Sequence, residues 1–210
     1  MATLLHIQAS PRRDRSYSLR AAIAFVEAYS DAHPDDSVKT LDLATTDLPA
    51  FDATAVSAKY RILHGEEYAR EERESWTAVE SCIDEFKSAD KLVISSPMWN
   101  FGIPYRLKQY LDIIIQPSYT FTYSDTEGYR GLVTGKPAML ILARGGEYAP
   151  GSDAASYDMQ KPYLELALGF MGFTQIDSIL VEPTLMAGRD AALHKLDEAV
   201  ALAREKAAAF

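Results

Sequence analysis

Apolar residues along the chain recur with two different periods. Five short runs, at 3–8, 38–43, 91–96, 137–143 and 175–181, read as strands. The third and fourth contain Leu92-Val93-Ile94 and Met139-Leu140-Ile141-Leu142, with no polar alternation, as in strands covered on both faces. Between the runs, apolar positions return at helical spacing. Leu19, Ile23 and Val26 share a face, as do Trp76, Val79, Ile83 and Phe86. So do Leu107, Tyr110, Leu111 and Ile114, and later Leu193, Leu196 and Val200. Alternation of strand and helix predicts an α/β fold: a doubly wound, five-stranded parallel sheet. Right-handed crossovers then place helices on both faces.

Two segments interrupt this pattern. Residues 44–75 read as a long connection, whose charged stretch at 66–74 begins the second helix and presents a solvated face. Residues 117–135 carry Tyr119, Phe121 and Tyr123 at a spacing of two, then Gly128 and Gly131, the pattern of a short hairpin or flap. Its aromatic residues either cover a sheet edge or form a lid over a site.

Composition narrows the class without naming a chemistry. The 210 residues are 48% hydrophobic and 24% charged, which suits one domain spanning 1–210 with a sizeable core. A formal net charge of −9 argues against a nucleic-acid surface or a polybasic membrane anchor. No apolar run is long enough to cross a bilayer and no export signal precedes the first strand, so a cytoplasmic protein is expected. The single cysteine, Cys82, excludes an intramolecular disulfide, and the four histidines follow no metal-ligand spacing, so no metal site is expected.

Three loops, each following an apolar strand, carry the candidate chemistry. After the first strand come Ser10 and then Ser16-Tyr17-Ser18 at the start of a helical pattern. Hydroxyls and unpaired amides at a helix N-terminus bind anions, and the helix dipole adds to the attraction. Arg12, Arg13 and Arg15 lie close by in sequence. After the third strand comes Pro97-Met98-Trp99-Asn100-Phe101-Gly102-Ile103-Pro104, which offers apolar stacking surfaces and amide-edge hydrogen bonds. After the fourth comes Ala143-Arg144-Gly145-Gly146, where adjacent glycines permit close backbone approach to a ligand. In an open α/β sheet such loops meet at the carboxyl edge. A phosphate clamp beside an aromatic, amide-bearing loop suits flavin mononucleotide (FMN). The stretch Gly131-Leu132-Val133-Thr134-Gly135-Lys136 mimics a P-loop but is one residue short, and Pro137 stands where a magnesium-holding hydroxyl belongs. It reads as a turn. No G-x-G-x-x-G follows the first strand, and no G-x-S-x-G elbow exists.

The order and spacing of these loops resemble the FMN-dependent NADH-azoreductase family, also described as NADH:quinone oxidoreductases. The likeness is carried by Ser10, Ser16-Tyr17-Ser18, Met98-Trp99-Asn100-Phe101 continuing through Ile103-Pro104 to Leu107-Lys108, and Ala143-Arg144-Gly145-Gly146. It departs at Ala143, where the family often has a serine, so a hydroxyl contact is missing there while the glycine amides remain. The resemblance implies a flavodoxin-like sheet of order 2-1-3-4-5 and a homodimer with two flavin sites near its interface. It also implies hydride transfer from NADH through FMN to a quinone or azo acceptor, with ping-pong kinetics because donor and acceptor share one place. The flavin then carries the chemistry and no acid–base residue is nominated. Phe101, with Tyr119 or Phe121 from the flap, is expected to shape the acceptor pocket. The alternative is a flavodoxin-type electron carrier that turns over no small substrate.

Overall fold

All five apolar runs form strands in the computed structural model, which describes residues 1–210. These are β1 (Thr3–Gln8), β2 (Ser37–Asp42), β3 (Lys91–Pro97), β6 (Pro137–Ala143) and β7 (Gln175–Val181), and the hairpin supplies β4 (Phe121–Ser124) and β5 (Gly128–Gly131). Six helices separate them: α1 (Tyr17–Ala32), α2 (Ala53–His64), α3 (Arg70–Ser88), α4 (Tyr105–Ile114), α5 (Lys161–Met171) and α6 (Gly188–Ala207). The five-stranded sheet runs β2-β1-β3-β6-β7 and every pairing in it is parallel. Passing over the hairpin strands, which pair only with each other, that is the expected order of a flavodoxin-like sheet.

Strand side chains alternate between two buried layers, as the pleat requires. Leu5, Ile7, Leu92, Ile94, Leu140 and Leu142 pack with α3, α4 and α5 through residues such as Ile83, Leu107 and Leu164. Leu4, Val93, Met139, Ile141 and Val181 pack with α1 and α6 through Phe25, Leu196 and Ala203. The apolar faces expected of α3 and α4 are buried throughout. On α1 the expected face is rotated: Leu19 is buried and Val26 partly so, but Ile23 is exposed, and Ala21, Ala22, Phe25 and Tyr29 complete the buried side. α1 is wedged between the sheet and α6, so small residues rather than a branched stripe set its inner side.

The connection at 44–75 holds a helix that periodicity does not reveal. Asp52 Oδ1 caps α2 by accepting from the Thr54 and Ala55 amides at 3.0 and 3.1 Å, and Gly65, at φ +69°, ends it. Only Ala55 and Ala58 of α2 are buried, too little apolar side chain to make a stripe. Arg106 at the start of α4 ties this connection to the sheet's carboxyl edge, donating from Nε to the Leu43 carbonyl at 2.9 Å and from Nη2 to the Thr46 carbonyl.

Candidate functional site

Backbone hydrogen bonds gather the three loops at one edge. The Ala9 amide donates to the Ser95 carbonyl at 2.9 Å, and the Met98 amide to the Ala143 carbonyl at 2.8 Å. The loop after β7 joins them through Arg144 N to the Val181 carbonyl at 3.0 Å and Thr184 N to the Arg144 carbonyl at 2.9 Å. Beneath the first two loops, buried His6 bridges β1 and β3. Gln8 Nε2 donates to His6 Nδ1 at 3.4 Å, which leaves the proton on Nε2, 3.0 Å from Ser95 Oγ. Burial holds His6 neutral by lowering its pKa from 6.5 to about 4.

In the first loop, Ser10, Ser16 and Ser18 are all buried. Ser16 caps α1: its Oγ accepts from the Leu19 amide at 3.4 Å and lies 3.3 Å from Ser18 Oγ. Ser10 Oγ accepts from the Arg12 amide at 3.4 Å. The Tyr17 and Ser18 amides belong to the first helical turn, where no preceding helical carbonyl exists to receive them. Arg12, Arg13 and Arg15 stay on the surface, with Arg13 at φ +50°. Dense neutral donors at a positive helix end, with cations at longer range, fit a phosphate monoester.

The second loop turns back on itself between Trp99 and Gly102, whose amides each donate to the other's carbonyl at 3.0 Å. Both residues between them have positive φ, Asn100 at +47° and Phe101 at +71°, as in a type I′ turn. Asparagine tolerates that region, but phenylalanine does so at a cost of about 1–2 kcal/mol. The strained turn holds Phe101 51% exposed, and Trp99 packs against Tyr105 instead, at 6.5 Å between ring centroids. Pro97 and Met98 are half-buried at the end of β3.

The third loop departs from its expected role in one residue. Arg144 is only 1% exposed and its guanidinium turns inward. Nη2 lies 2.8 Å from Asp158 Oδ2, Nη1 lies 3.2 Å from Glu182 Oε2, and Nε donates to Gln160 Oε1 at 3.3 Å. Its side chain is therefore committed within the protein, and only its backbone is available to a ligand. Ala143 also turns its side chain into the core beside Val181. Neither Gly145 nor Gly146 has positive φ. A Cβ on Gly145 would lie 3.0 Å from Leu185 Cδ1, and one on Gly146 would lie 2.9 Å from Met186 Sδ. The glycines thus let the loop after β7 approach closely. A cavity of about 420 Å³ opens between these loops, lined among others by Phe101, Gly146, Tyr148, Tyr157, Pro183 and Met186.

A protein-family model described as the flavodoxin-like fold matches residues 2–207. The chain is 53% identical over 210 residues, all of both chains, to a protein of Nitratidesulfovibrio vulgaris named FMN-dependent NADH:quinone oxidoreductase. The chain belongs to this flavodoxin-like family of FMN-dependent NADH:quinone oxidoreductases. Among solved structures, an azoreductase of Bacillus anthracis str. Sterne superposes with a TM-score of 0.92 at 29% identity, covering all of both chains. An FMN-dependent NADH-azoreductase of Bacillus anthracis str. Ames Ancestor, in complex with FMN, superposes with a TM-score of 0.86 at 28% identity, covering 99% of this chain and all of that one.

Within this family member the flap residues stand apart from the loops. Tyr119 packs edge-on to Trp76 at 6.1 Å between centroids, accepts from its Nε1 at 3.2 Å, and donates to Glu80 at 2.6 Å. Phe121 lies 4.6 Å from the Phe170 ring on α5. Neither lines the cavity beside Phe101. The hairpin springs from the opposite, amino edge of the sheet, where a Cβ on Gly131 would fall 2.3 Å from Gly172 N. Lys136 of the P-loop mimic donates to the Lys87 and Ala89 carbonyls at 2.5 Å each, closing the end of α3. Sequence reasoning missed Tyr157, Met186 and the acidic partners of Arg144. Residues 147–159 have no apolar period, and no motif marks an ion pair formed across 14 or 38 positions of chain.

Proposed function

We propose that the chain is a single FMN-binding domain, residues 1–210, that transfers electron pairs from NADH to quinones and aromatic azo compounds. The supporting observation is the convergence, at one sheet edge, of a buried serine cradle at a helix N-terminus and a strained aromatic turn beside a cavity of about 420 Å³. The full-length likeness to a protein named FMN-dependent NADH:quinone oxidoreductase supports the same reading. In it, Ser10, Ser16, Ser18 and the Tyr17 and Ser18 amides hold the FMN phosphate. Pro97, Met98, Trp99, Asn100 and Phe101 bracket the ring, with the Ala143, Arg144, Gly145 and Gly146 backbone at its other edge. The chemistry FMN supplies when bound is two-electron transfer between a nicotinamide and an acceptor. The protein's share is placement: Phe101 gives a flat apolar surface, and the loop amides offer donors to the ring edge, where negative charge develops.

Donor and acceptor occupy the same slot in turn, which makes the kinetics ping-pong. A second copy of the chain completes a homodimer, and Tyr119 and Phe121 contribute to a pocket only from such a partner. No helix is long and apolar enough to cross a membrane, in keeping with work in the cytoplasm. Anaerobic stopped-flow mixing of the FMN-loaded protein with NADH or NADPH, then with a quinone or an azo dye, tests the proposal. Rapid bleaching of flavin absorbance by NADH and its return on adding acceptor is the expected result. Absence of bleaching would leave the electron-carrier reading instead.

A further inference from the structure

Between Gly146 and α5 runs an irregular segment whose only regular element is a 3-10 turn at Ala155–Tyr157. Three contacts strap it across the second and third loops. Asp158 Oδ2 meets Arg144 Nη2 at 2.8 Å, the Met159 amide donates to the Phe101 carbonyl at 3.0 Å, and Gln160 Nε2 donates to the Ser96 carbonyl at 3.3 Å. Asp158 Oδ1 accepts at the same time from the Gln160 and Lys161 amides, both at 3.0 Å, and so starts α5. One carboxylate therefore heads the helix and latches the strap to the third loop. The strap sets the Tyr157 ring 5.3 Å from the Phe101 ring, inclined by 32°. Both rings are more than half exposed and both line the cavity. The Tyr157 hydroxyl has no hydrogen-bond partner in the chain.

An exposed aromatic pair at the mouth of a cavity, held there by a buried ion pair, presents apolar area that a flat ligand covers. We infer that Tyr157 sets the size of acceptor admitted beside Phe101, and that Arg144, acting through Asp158, is its positioning residue. This rests on the reading of the cavity as the place of the flavin ring and its acceptor. Removing the Tyr157 ring widens the slot and favours larger fused-ring acceptors. A larger ring there narrows it.

The test is the ratio of kcat/KM for a three-ring quinone to that for a one-ring quinone, measured on FMN-loaded enzyme. Tyr157→Ala is expected to raise the ratio about tenfold, equivalent to about 1.4 kcal/mol, and Tyr157→Trp to lower it. Tyr157→Phe should keep the wild-type ratio, because the hydroxyl is unpaired. Asp158→Asn keeps the helix-capping oxygen but turns an amide toward Arg144. It should move the ratio in the direction of Tyr157→Ala and speed chymotryptic cleavage within the strap, a readout independent of turnover. An unchanged ratio in both Tyr157→Ala and Tyr157→Trp, with FMN bound as judged by fluorescence titration, overturns the inference alone. A wild-type protein that takes up no FMN in that titration overturns the site reading beneath it.

Discussion

Phe101 places a β-carbon where the backbone favours glycine, and replacing it separates strain from function. At φ +71° any residue with a Cβ bears about 1–2 kcal/mol relative to right-handed backbone. Phe101→Ala keeps that burden and loses the ring. With the residue 51% exposed, roughly half of the 1.5–3 kcal/mol of a fully buried phenylalanine is at stake, or about 1 kcal/mol. Phe101→Gly loses the same ring but sheds the strain, while gaining about 0.5–1 kcal/mol of unfavourable chain entropy. The glycine variant should therefore be the more stable of the two by about 0.5–1 kcal/mol. In an ordinary strand or helix the order is the reverse. Urea unfolding of the cofactor-free proteins, followed by far-ultraviolet circular dichroism, reads this as a higher midpoint at unchanged slope. Both variants should lose acceptor turnover once loaded with FMN, since both lack the flat surface. An alanine variant as stable as the glycine variant would refute the strain argument. A glycine variant with full turnover would refute the assignment of the ring to the site.

Other expectations test the remaining parts. Replacing Ser16 and Ser18 together by alanine should weaken FMN binding at least tenfold, on the scale of about 1.5–3 kcal/mol for each hydrogen bond to a charged group. Riboflavin, which lacks the phosphate, should bind the variant and wild type alike in a fluorescence titration. Arg144→Met leaves Asp158 and Glu182 facing an apolar chain and should destabilise the fold by about 3–5 kcal/mol in urea. Arg144→Lys should not restore it, because an ammonium cannot span both carboxylates and Gln160. His6 titrates at about 4 when folded and 6.5 when free, so the unfolded chain binds the extra proton between those values. Stability should thus be full above about pH 6.5 and fall by about 3 kcal/mol as the pH drops to about 4. His6→Gln should flatten that part of the profile in unfolding measured across it.

The parts legible in the sequence are those where one physical demand dominates. Strands buried on both faces need nearly continuous apolar runs, and β1 and β6 begin and end where theirs do. The hairpin likewise sits within the aromatic stretch that announces it. α2 escapes because its capping residues, Asp52 and Gly65, enclose a helix that buries little more than alanine. The displaced face of α1 has a related cause. Packed on two sides, it needs small residues at close contacts, and periodicity weighs Ile23 more heavily than the alanines that do the packing.

The site shows the same division between local and distant demands. Helix-start hydroxyls and a glycine-bounded turn are local chemistry, and the structure brings the loops bearing them to one edge. Arg144 is different. As a residue in a glycine-rich loop it invites reading as a ligand for an anion, since a free guanidinium there would face whatever binds. Its actual state depends on Asp158 and Glu182, which reach it from two other segments. A guanidinium held by two carboxylates has no net positive charge left to offer a phosphate or a reduced ring. On the proposed reading the positive end of α1 and the loop amides supply the electrostatic attraction, with surface Arg12, Arg13 and Arg15 at longer range, and no buried cation is required. On that reading an acidic chain with a net charge of −9 holds a dianion through local donors rather than through its overall charge. The proposed attraction comes from backbone dipoles of the first helical turn, while the protein's overall charge acts from the surface through screening solvent.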